Sequence, residues 1–290
     1  MQPTRSPKMS SSVVTKRFLN IAHRGARSLA PENTLAAACK ALEVGADMWE
    51  FDVQMTADGE PIVVHDTTLK RTSNVKDIFP RRRPWRVHQF TLDEIRQLDF
   101  GSWFVEQDPF GRIAAGEVSP ADLVSYKRQK APTLEEALSF TREHGWQANV
   151  EIKDLRGKPG NARIVPKVVG LVQRLNMVDT VLISSFNHDY LAQIRATDSH
   201  IATGVLISRS PRRPVSLLRQ LGAQAYHPPM TSVRLSHMQG LIHLGYRVYV
   251  RTVNDRKAML RLMKGGVSGI FTDFPQVLSS VLNDYLKEKA

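Results

Sequence analysis

Short apolar runs recur along the chain from residue 19 onward, and segments with helical periodicity separate them. The runs predict eight β-strands, at residues 19–22, 48–53, 148–152, 180–184, 202–207, 223–226, 246–251 and 268–271. The intervening segments predict helices at residues 33–44, 133–144, 161–176, 188–197, 214–221, 235–244, 255–264 and 275–287. Eight strands alternating with eight helices are typical of one α/β fold, the (β/α)8 TIM-type barrel. A doubly wound open sheet is the alternative.

The predicted helix ends carry their own signals. Asn33 is a candidate N-terminal cap, residues 133–136 (TLEE) form a capping box, and Asp255 can begin a later helix. Glycines also stand just past predicted helix ends, where a left-handed terminator is expected, at Gly45, Gly145, Gly222, Gly245 and Gly265. These signals support the alternation of strands and helices.

Residues 67–130 interrupt the alternation. This stretch is far longer than an ordinary strand-to-helix loop and contains a helix signal at residues 91–101. We predict that it is an insertion after strand 2 of a single barrel domain at residues 19–290. Residues 1–18 predict a flexible leader, because they are rich in Ser, Pro, Thr and Lys and lack the apolar run of a secretory signal.

The second predicted strand, MWEFDVQM at residues 48–55, has two chemically different faces. Trp49, Phe51 and Val53 alternate with polar residues that include Glu50 and Asp52. Because strand side chains alternate between faces, the two carboxylates point the same way. Either this face is wet at the edge of a sheet, or a cation lies between the carboxylates.

Polar residues also occupy the ends of the other predicted strands. In a parallel barrel these ends meet at one rim, where catalysis takes place. The residues expected at this rim are His23, Arg24, Glu50, Asp52, His65, Glu151, Lys153, His227 and Arg251. Three buried carboxylates favour a hard divalent cation, Mg²⁺ or Ca²⁺. Two histidines can act as acid and base and cationic side chains can bind phosphate, so the set predicts cleavage of a phosphodiester.

The charge balance changes the range of expected partners. Lysine and arginine number 40 against 28 aspartate and glutamate residues, a net charge of +12, which favours anionic partners. The basic residues are densest at 71–86 and 209–214, but few aromatic residues are interleaved with them, which disfavours nucleic acid. We expect a small phosphate-bearing substrate, with peripheral contact to anionic lipid as a further option. The single cysteine fits a reducing compartment, so we expect a cytoplasmic protein.

Several motifs resemble those of the glycerophosphodiester phosphodiesterase family. They are AHRGARSLAPENTLAAACKALEVGADMWEFDVQMTADGEPIVVHD, PTLEEAL, NVEIK, ISSF, GYRVYVRTVN and GIFTDFP, in this order. The resemblance implies a (β/α)8 barrel that hydrolyses glycerophosphodiesters to sn-glycerol 3-phosphate and an alcohol, with a divalent metal. It implies that His23 and His65 are the acid/base pair. Glu50, Asp52 and Glu151 are the implied metal ligands, and Arg24 and Lys153 the implied phosphate-binding residues. Glu32 matches the same motif, either in a functional role or as a helix cap.

One departure from the family pattern bears on the substrate. Such enzymes usually have WTVN where this chain has Arg251 followed by TVN. An arginine there suits a more anionic substrate, such as a lysophospholipid or a phosphorylated head group. His227 is a further candidate to face the substrate.

Two other functions remain open from the sequence. A lysophospholipase-D-like activity would place an acyl chain among aromatic residues of the insertion, although these residues would also serve as the core of the insertion. These aromatic residues are Phe79, Trp85, Phe90, Phe100, Trp103 and Phe104. A non-catalytic protein that binds anionic lipid or nucleic acid is less favoured, because such binding does not need acid/base groups at one rim.

Overall fold

The computed structural model describes residues 18–288, and its centre is a closed barrel. The strands are β1 (Leu19–His23), β2 (Met48–Met55), β3 (Pro61–Val63), β4 (Gln147–Ile152), β5 (Val181–Ser185), β6 (Ala202–Leu206), β7 (Ala225–His227), β8 (Arg247–Val250) and β9 (Gly269–Thr272). All except β3 pair in parallel, and β1 pairs with both β2 and β9. This double pairing closes the ring. The predicted (β/α)8 barrel is therefore confirmed, and the open sheet is ruled out.

Helices follow the barrel strands and cover their outer faces. The barrel helices are α1 (Leu35–Glu43), α6 (Leu134–Glu143), α7 (Asn161–Arg174), α8 (His188–Thr197), α9 (Pro214–Leu221), α10 (Leu235–His243), α11 (Arg256–Lys264) and α12 (Pro275–Lys287). Their apolar residues join the outward side chains of the strands in the main core. Among residues 18–288, no helix has both the length and the apolar character needed to cross a membrane.

Strand β2 is buried on both faces, which rules out the wet sheet-edge interpretation. Trp49, Phe51 and Val53 pack in the main core between strands and helices. Glu50 and Asp52 are only 2% and 1% exposed, although their strand lies between β1 and β4 inside the ring. Side chains of alternate strand positions fill the barrel interior below them, including Ile21, Met48, Leu182, Tyr249 and Phe271. The two carboxylates therefore lie above an apolar floor.

The stretch assigned to an insertion, residues 67–130, holds four short helices and a small core. Its helices are α2 (Val75–Ile78), α3 (Leu92–Arg96), α4 (Ser102–Gln107) and α5 (Pro120–Tyr126), with a 3-10 turn at Val87–Gln89. Trp85, Phe90 and Phe100 are buried in a cluster made mostly of this segment's apolar residues, together with Ile62, Val64 and Ala131, and Phe104 joins the main core. The aromatic residues thus serve as packing, and no open acyl-binding groove is formed by these buried rings. The predicted leader lies outside the described residues except for Phe18.

Two helix-end predictions are wrong by one residue. The N-cap of α1 is Thr34, whose hydroxyl accepts a hydrogen bond from the Ala37 amide, rather than Asn33. Asn33 instead has a positive φ of 58° and binds Asp52 through its side chain. At the end of α11, Gly265 stays right-handed and Gly266 adopts the left-handed conformation, with φ of 79°. In both places two adjacent residues of suitable type compete for one position.

Candidate active site

Three carboxylates from neighbouring strands meet at the C-terminal rim of the barrel. Glu50 and Asp52 project inward from β2, and Glu151 lies directly opposite Asp52 on β4. One oxygen from each of these carboxylates lies within 4.8 Å of the other two. The sequence predicted this convergence from the alternation within the two strands.

The charges at this cluster are unevenly balanced. Burial, followed by the neighbouring Asp52 and Glu151, raises the pKa of Glu50 well above its usual value. Burial would also raise the pKa of Asp52, but Lys153 and Arg24 more than offset it and lower that pKa. The Lys153 ammonium lies 3.2 Å from Asp52 and 2.6 Å from Glu151. Glu50 therefore carries the least compensated charge of the cluster.

This donor set fits a divalent cation. The Oε1 atom of Glu50 is buried and has no hydrogen-bond partner among the described residues, so one ligand-type oxygen is left over. A set of direct ligands that consists of carboxylate oxygens, without sulfur or imidazole, suits a hard ion such as Mg²⁺ or Ca²⁺. A cation among the three oxygens would remove the repulsion that raises the pKa of Glu50.

His23, at the end of β1, is oriented by a carboxylate from the last strand. Its Nδ1 lies 2.7 Å from the Asp273 carboxylate, and its Nε2 lies 3.9 Å from Glu50. Asp273 is fixed in turn by Asn254, which donates to it at 2.7 Å, and by Arg27 at 3.3 Å. Burial lowers the pKa of His23, with Asp273 opposing and Arg24 adding to the shift. Because its pKa is lowered, the His23 imidazole is neutral. Because Asp273 binds Nδ1, its Nε2 is left free.

His65, after β3, has a similar arrangement at a more solvent-exposed position. Its Nδ1 lies 2.7 Å from the carboxylate of the next residue, Asp66. Its side chain is 32% exposed, compared with 18% for His23. Arg71 binds the other Asp66 oxygen at 2.7 Å. Both predicted acid/base residues therefore have Nδ1 held by an aspartate and Nε2 available.

Glu32 is the centre of an arginine cluster and does not cap a helix. Arg24 lies 2.9 Å from its carboxylate, Arg27 lies 2.5 Å away, and Arg71 binds both oxygens at 2.7 and 3.0 Å. Burial alone would raise the pKa of Glu32, but the guanidiniums, that of Arg71 first, lower it to about 2. The Arg24 backbone amide also donates to Glu50 at 3.0 Å. Glu32 thereby fixes Arg24 beside the carboxylate cluster.

A cavity of about 170 Å³ connects these groups with the other side of the rim. We call the strand ends of β9, β1, β2 and β4 the acidic arc, and those of β5, β6, β7 and β8 the distal arc. The acidic arc lines the cavity with His23, Arg24, Glu50, His65, Asn149, Glu151 and Lys153. The acidic arc also contributes Phe271, and the distal arc contributes Ser184, Phe186, Leu206, Arg251 and the adjacent Thr252.

The structure buries His227 completely inside the barrel, and it is not among the described residues that line the cavity. Its ring packs against Tyr249 and Phe271, at centroid distances of 5.5 and 5.0 Å. Both ring nitrogens lack a partner among the described residues, and burial lowers the pKa of His227 to about 3. We therefore leave His227 out of the substrate site that we propose below.

Sequence reasoning assigned no part in this site to four residues that hold it together. Asp273, Asn254 and Asp66 orient the histidines, and Asn33 binds Asp52. Asp273 directly follows β9, and Asn254 lies shortly after β8. Their position beside His23 depends on the contact between the first and last strands, which the sequence order does not display.

Comparisons with known proteins agree with this geometry. The model of the glycerophosphoryl diester phosphodiesterase family matches residues 23–277. A glycerophosphodiester phosphodiesterase of Caldanaerobacter subterraneus subsp. tengcongensis is 33% identical over 267 residues, covering 92% of this chain and 98% of the relative. A glycerophosphodiester phosphodiesterase of Bacillus altitudinis is 33% identical over 90% of this chain and 96% of its own.

Solved structures give the same result. A phosphodiesterase of Oleispira antarctica, in complex with the product sn-glycerol-3-phosphate, superimposes with a TM-score of 0.74 and 27% identity, covering 91% of this chain and 96% of that one. A putative glycerophosphoryl diester phosphodiesterase of Silicibacter pomeroyi gives a TM-score of 0.77 and 28% identity, covering 91% and 92%. The family resemblance expected from the sequence motifs is confirmed.

Proposed function

Because this chain belongs to the glycerophosphoryl diester phosphodiesterase family, we propose that it hydrolyses glycerophosphodiesters to sn-glycerol 3-phosphate and an alcohol at the rim cavity. The observation that carries the proposal is the meeting of three carboxylates and two aspartate-held histidines around one cavity. No feature of the described structure favours the lysophospholipase alternative, because most of the aromatic residues it needs are buried as core. The cytoplasmic location remains a prediction.

We propose that Glu50, Asp52 and Glu151 hold one divalent cation, Mg²⁺ or Ca²⁺. Such an ion supplies positive charge for phosphate oxygens and polarises the phosphorus centre. Among the chain's own groups, Arg24 offers a guanidinium that Glu32 keeps beside the cavity. Lys153 adds an ammonium between Asp52 and Glu151. These fixed cations suit the charge that builds up on the phosphate oxygens during cleavage.

The two histidines are proposed to move the protons. His23 is kept neutral by burial, so its Nε2 can take a proton from the attacking hydroxyl or water. His65 then protonates the leaving alkoxide through its own Nε2. In both rings the aspartate at Nδ1 fixes the tautomer and the direction in which Nε2 points. His23→Ala should remove activity while metal binding is retained, and loss of both would indicate a ligand role for His23.

The first experiment measures release of glycerol 3-phosphate from glycerophosphocholine and glycerophosphoethanolamine, with Mg²⁺, with Ca²⁺ and with chelator. Release that depends on one of the ions supports the diesterase and identifies the metal. Release that chelator leaves unchanged would contradict the metal proposal. No release from either substrate, by a folded protein, would contradict the choice of these substrates.

The variant Glu50→Gln tests the site itself. We expect it to lose activity by at least about 10³-fold, because one ligand oxygen is lost from the ion. The raised pKa means that folding disfavours ionised Glu50, so the metal-free variant should unfold at the same or a higher temperature than the parent. The thermal shift that Mg²⁺ or Ca²⁺ gives the parent should disappear. Glu106→Gln, at an exposed position, is the control, and full activity in Glu50→Gln would contradict the assignment.

A further inference from the structure

Arg251, just after β8, is held rigidly against the wall of the cavity. Its Nη2 donates to the Ile207 carbonyl at 2.5 Å and its Nε to the His227 carbonyl at 3.3 Å. The guanidinium carbon lies 4.5 Å from the centre of the Phe186 ring. The main chain is tied down as well, since the Arg251 amide donates to the Pro228 carbonyl at 3.0 Å. The cation therefore bridges the ends of β5, β6, β7 and β8.

This cation has no counter-charge within the part of the chain that the structure describes. Among residues 18–288, no carboxylate lies within 4.0 Å of the Arg251 guanidinium, and its hydrogen bonds go to neutral carbonyls. The nearest influential acids are Glu151 and Glu50 on the acidic arc, and burial lowers the pKa of Arg251 despite them. The other side chains with which the distal arc lines the cavity carry no charge. Burying an unpaired guanidinium costs free energy unless an anion pairs with it.

The rest of the distal arc strengthens the positive field. Arg209, Arg212 and Arg213 follow β6 in an exposed loop, and none has an ion-pair partner within the described residues. The Ile207 carbonyl, which Arg251 binds, lies at the start of that loop. On the acidic arc, by contrast, Arg24, Lys153 and the arginines around Glu32 are all paired with carboxylates. Among these basic residues, the unpaired positive charges therefore belong to the distal arc.

We propose that Arg251 is a subsite for a second anionic group of the substrate, a carboxylate or phosphate on the alcohol that leaves. This inference rests on the proposed diesterase activity, which places the reacting phosphate at the acidic arc. In a glycerophosphodiester the glycerol end carries only neutral hydroxyls, so a second negative charge must belong to the alcohol. The planar fork of the guanidinium suits two-point binding of a carboxylate or phosphate. The preferred substrates are then glycerophosphodiesters with acidic head groups.

The test compares glycerophosphoserine with glycerophosphoethanolamine, two substrates that differ by a single carboxylate. We expect the parent chain to have the higher kcat/KM for glycerophosphoserine. In Arg251→Gln the ratio of the two kcat/KM values should fall about tenfold or more, because a charge-assisted contact is lost. Arg251→Lys keeps the charge without the fork, so its ratio should be intermediate. Thermal unfolding of each variant checks that the barrel remains folded.

Arg212→Gln is the matched control, since it removes one positive charge from the distal arc at a residue that does not line the cavity. Its substrate ratio should equal that of the parent. An unchanged ratio in Arg251→Gln would overturn the subsite, and so would an equal fall in Arg212→Gln, which would indicate a diffuse field.

Failure of the proposed activity has a separate signature, namely no glycerol 3-phosphate from either substrate. Calorimetric titration then measures the affinity of the chain for O-phosphoserine and for O-phosphoethanolamine, which tests the subsite without turnover. Tighter binding of O-phosphoserine that is lost in Arg251→Gln supports it, and equal binding of both ligands overturns it.

Discussion

The two arcs of the barrel rim use charge in opposite ways. On the acidic arc, carboxylates and cations form a closed network in which Glu32 and Asp273 each serve several partners. On the distal arc, the Arg251 guanidinium has no carboxylate partner among the described residues, and it binds the main chain of a buried histidine whose ring nitrogens also lack a partner there. The first arrangement fixes reactive groups in place, and the second leaves a charge free for a ligand. Changes on the acidic arc should therefore affect turnover, whereas changes on the distal arc should affect selectivity and stability.

Besides the loss expected in Glu50→Gln, the largest effect in this comparison is expected at the aspartates that hold the histidines. Asp273→Asn should lower kcat by about 10- to 100-fold with little change in KM, because the His23 ring loses its fixed tautomer. Asp66→Asn should cost less, since His65 and Asp66 are both about one third exposed and already hydrated. Steady-state kinetics of both variants measure the split between kcat and KM.

A rise in KM with kcat retained in Asp273→Asn would contradict the positioning role. Thermal unfolding is the control, because a purely structural loss would appear there first. Equal losses of kcat in the two variants would show that the greater solvent exposure of His65 does not reduce the effect of its aspartate.

A second effect concerns acid stability on the distal arc. The pKa of His227 is about 3 in the folded chain, below its ordinary value of 6.5. Between these two pKa values His227 is protonated in the unfolded chain and neutral in the folded chain. It therefore lowers the free energy of unfolding as the pH falls from 6.5 toward 3. Over that window it adds a slope of about 1.4 kcal/mol per pH unit. His227→Leu should flatten the fall in unfolding free energy between pH 6.5 and 4.5, as measured by urea titration.

Glu32, on the acidic arc, should affect stability in a lower pH window. Glu32 has a pKa of about 2 against an ordinary 4.5, so the stability it contributes is present above pH 4.5 and is lost as the pH falls toward 2. His227→Leu should leave that lower transition in place. His237→Leu, at an exposed position, is the control, and a slope that falls equally in both variants would contradict the argument.

The sequence predicted the parts of this protein that local pattern decides. The strands and helices follow from periodicity, and the carboxylate cluster follows from the alternation of Glu50 and Asp52 on one strand. The pairing of His23 with Asp273 spans 250 residues and exists only because the last strand closes against the first. The state of His227 depends equally on its neighbours, since a histidine at a strand end can face the cavity or fill the interior. The sequence pattern is the same in both cases.

The smallest expected effect tests why His227 fits inside the barrel at all. A Cβ atom added to Gly204 on β6 would lie 2.5 Å from Cε1 and 2.6 Å from Nε2 of the His227 ring. The ring cannot move aside easily, because Tyr249 and Phe271 pack against it. Gly204→Ala should therefore lower the unfolding free energy by about 1–3 kcal/mol through overpacking.

The same substitution in open space should have the opposite sign. Gly240 lies within α10, and nothing within 4 Å would meet its added Cβ, so Gly240→Ala should stabilise the protein by about 0.5–1 kcal/mol. If the His227 ring is the obstacle, the double variant Gly204→Ala with His227→Ala should lose less than the two single losses combined, because the new methyl group partly fills the space that the ring leaves. Additive losses, measured by urea unfolding, would instead place the cost in the β6 backbone. Sub-additive losses would show that an absent side chain on one strand of the distal arc makes room for the histidine of the next.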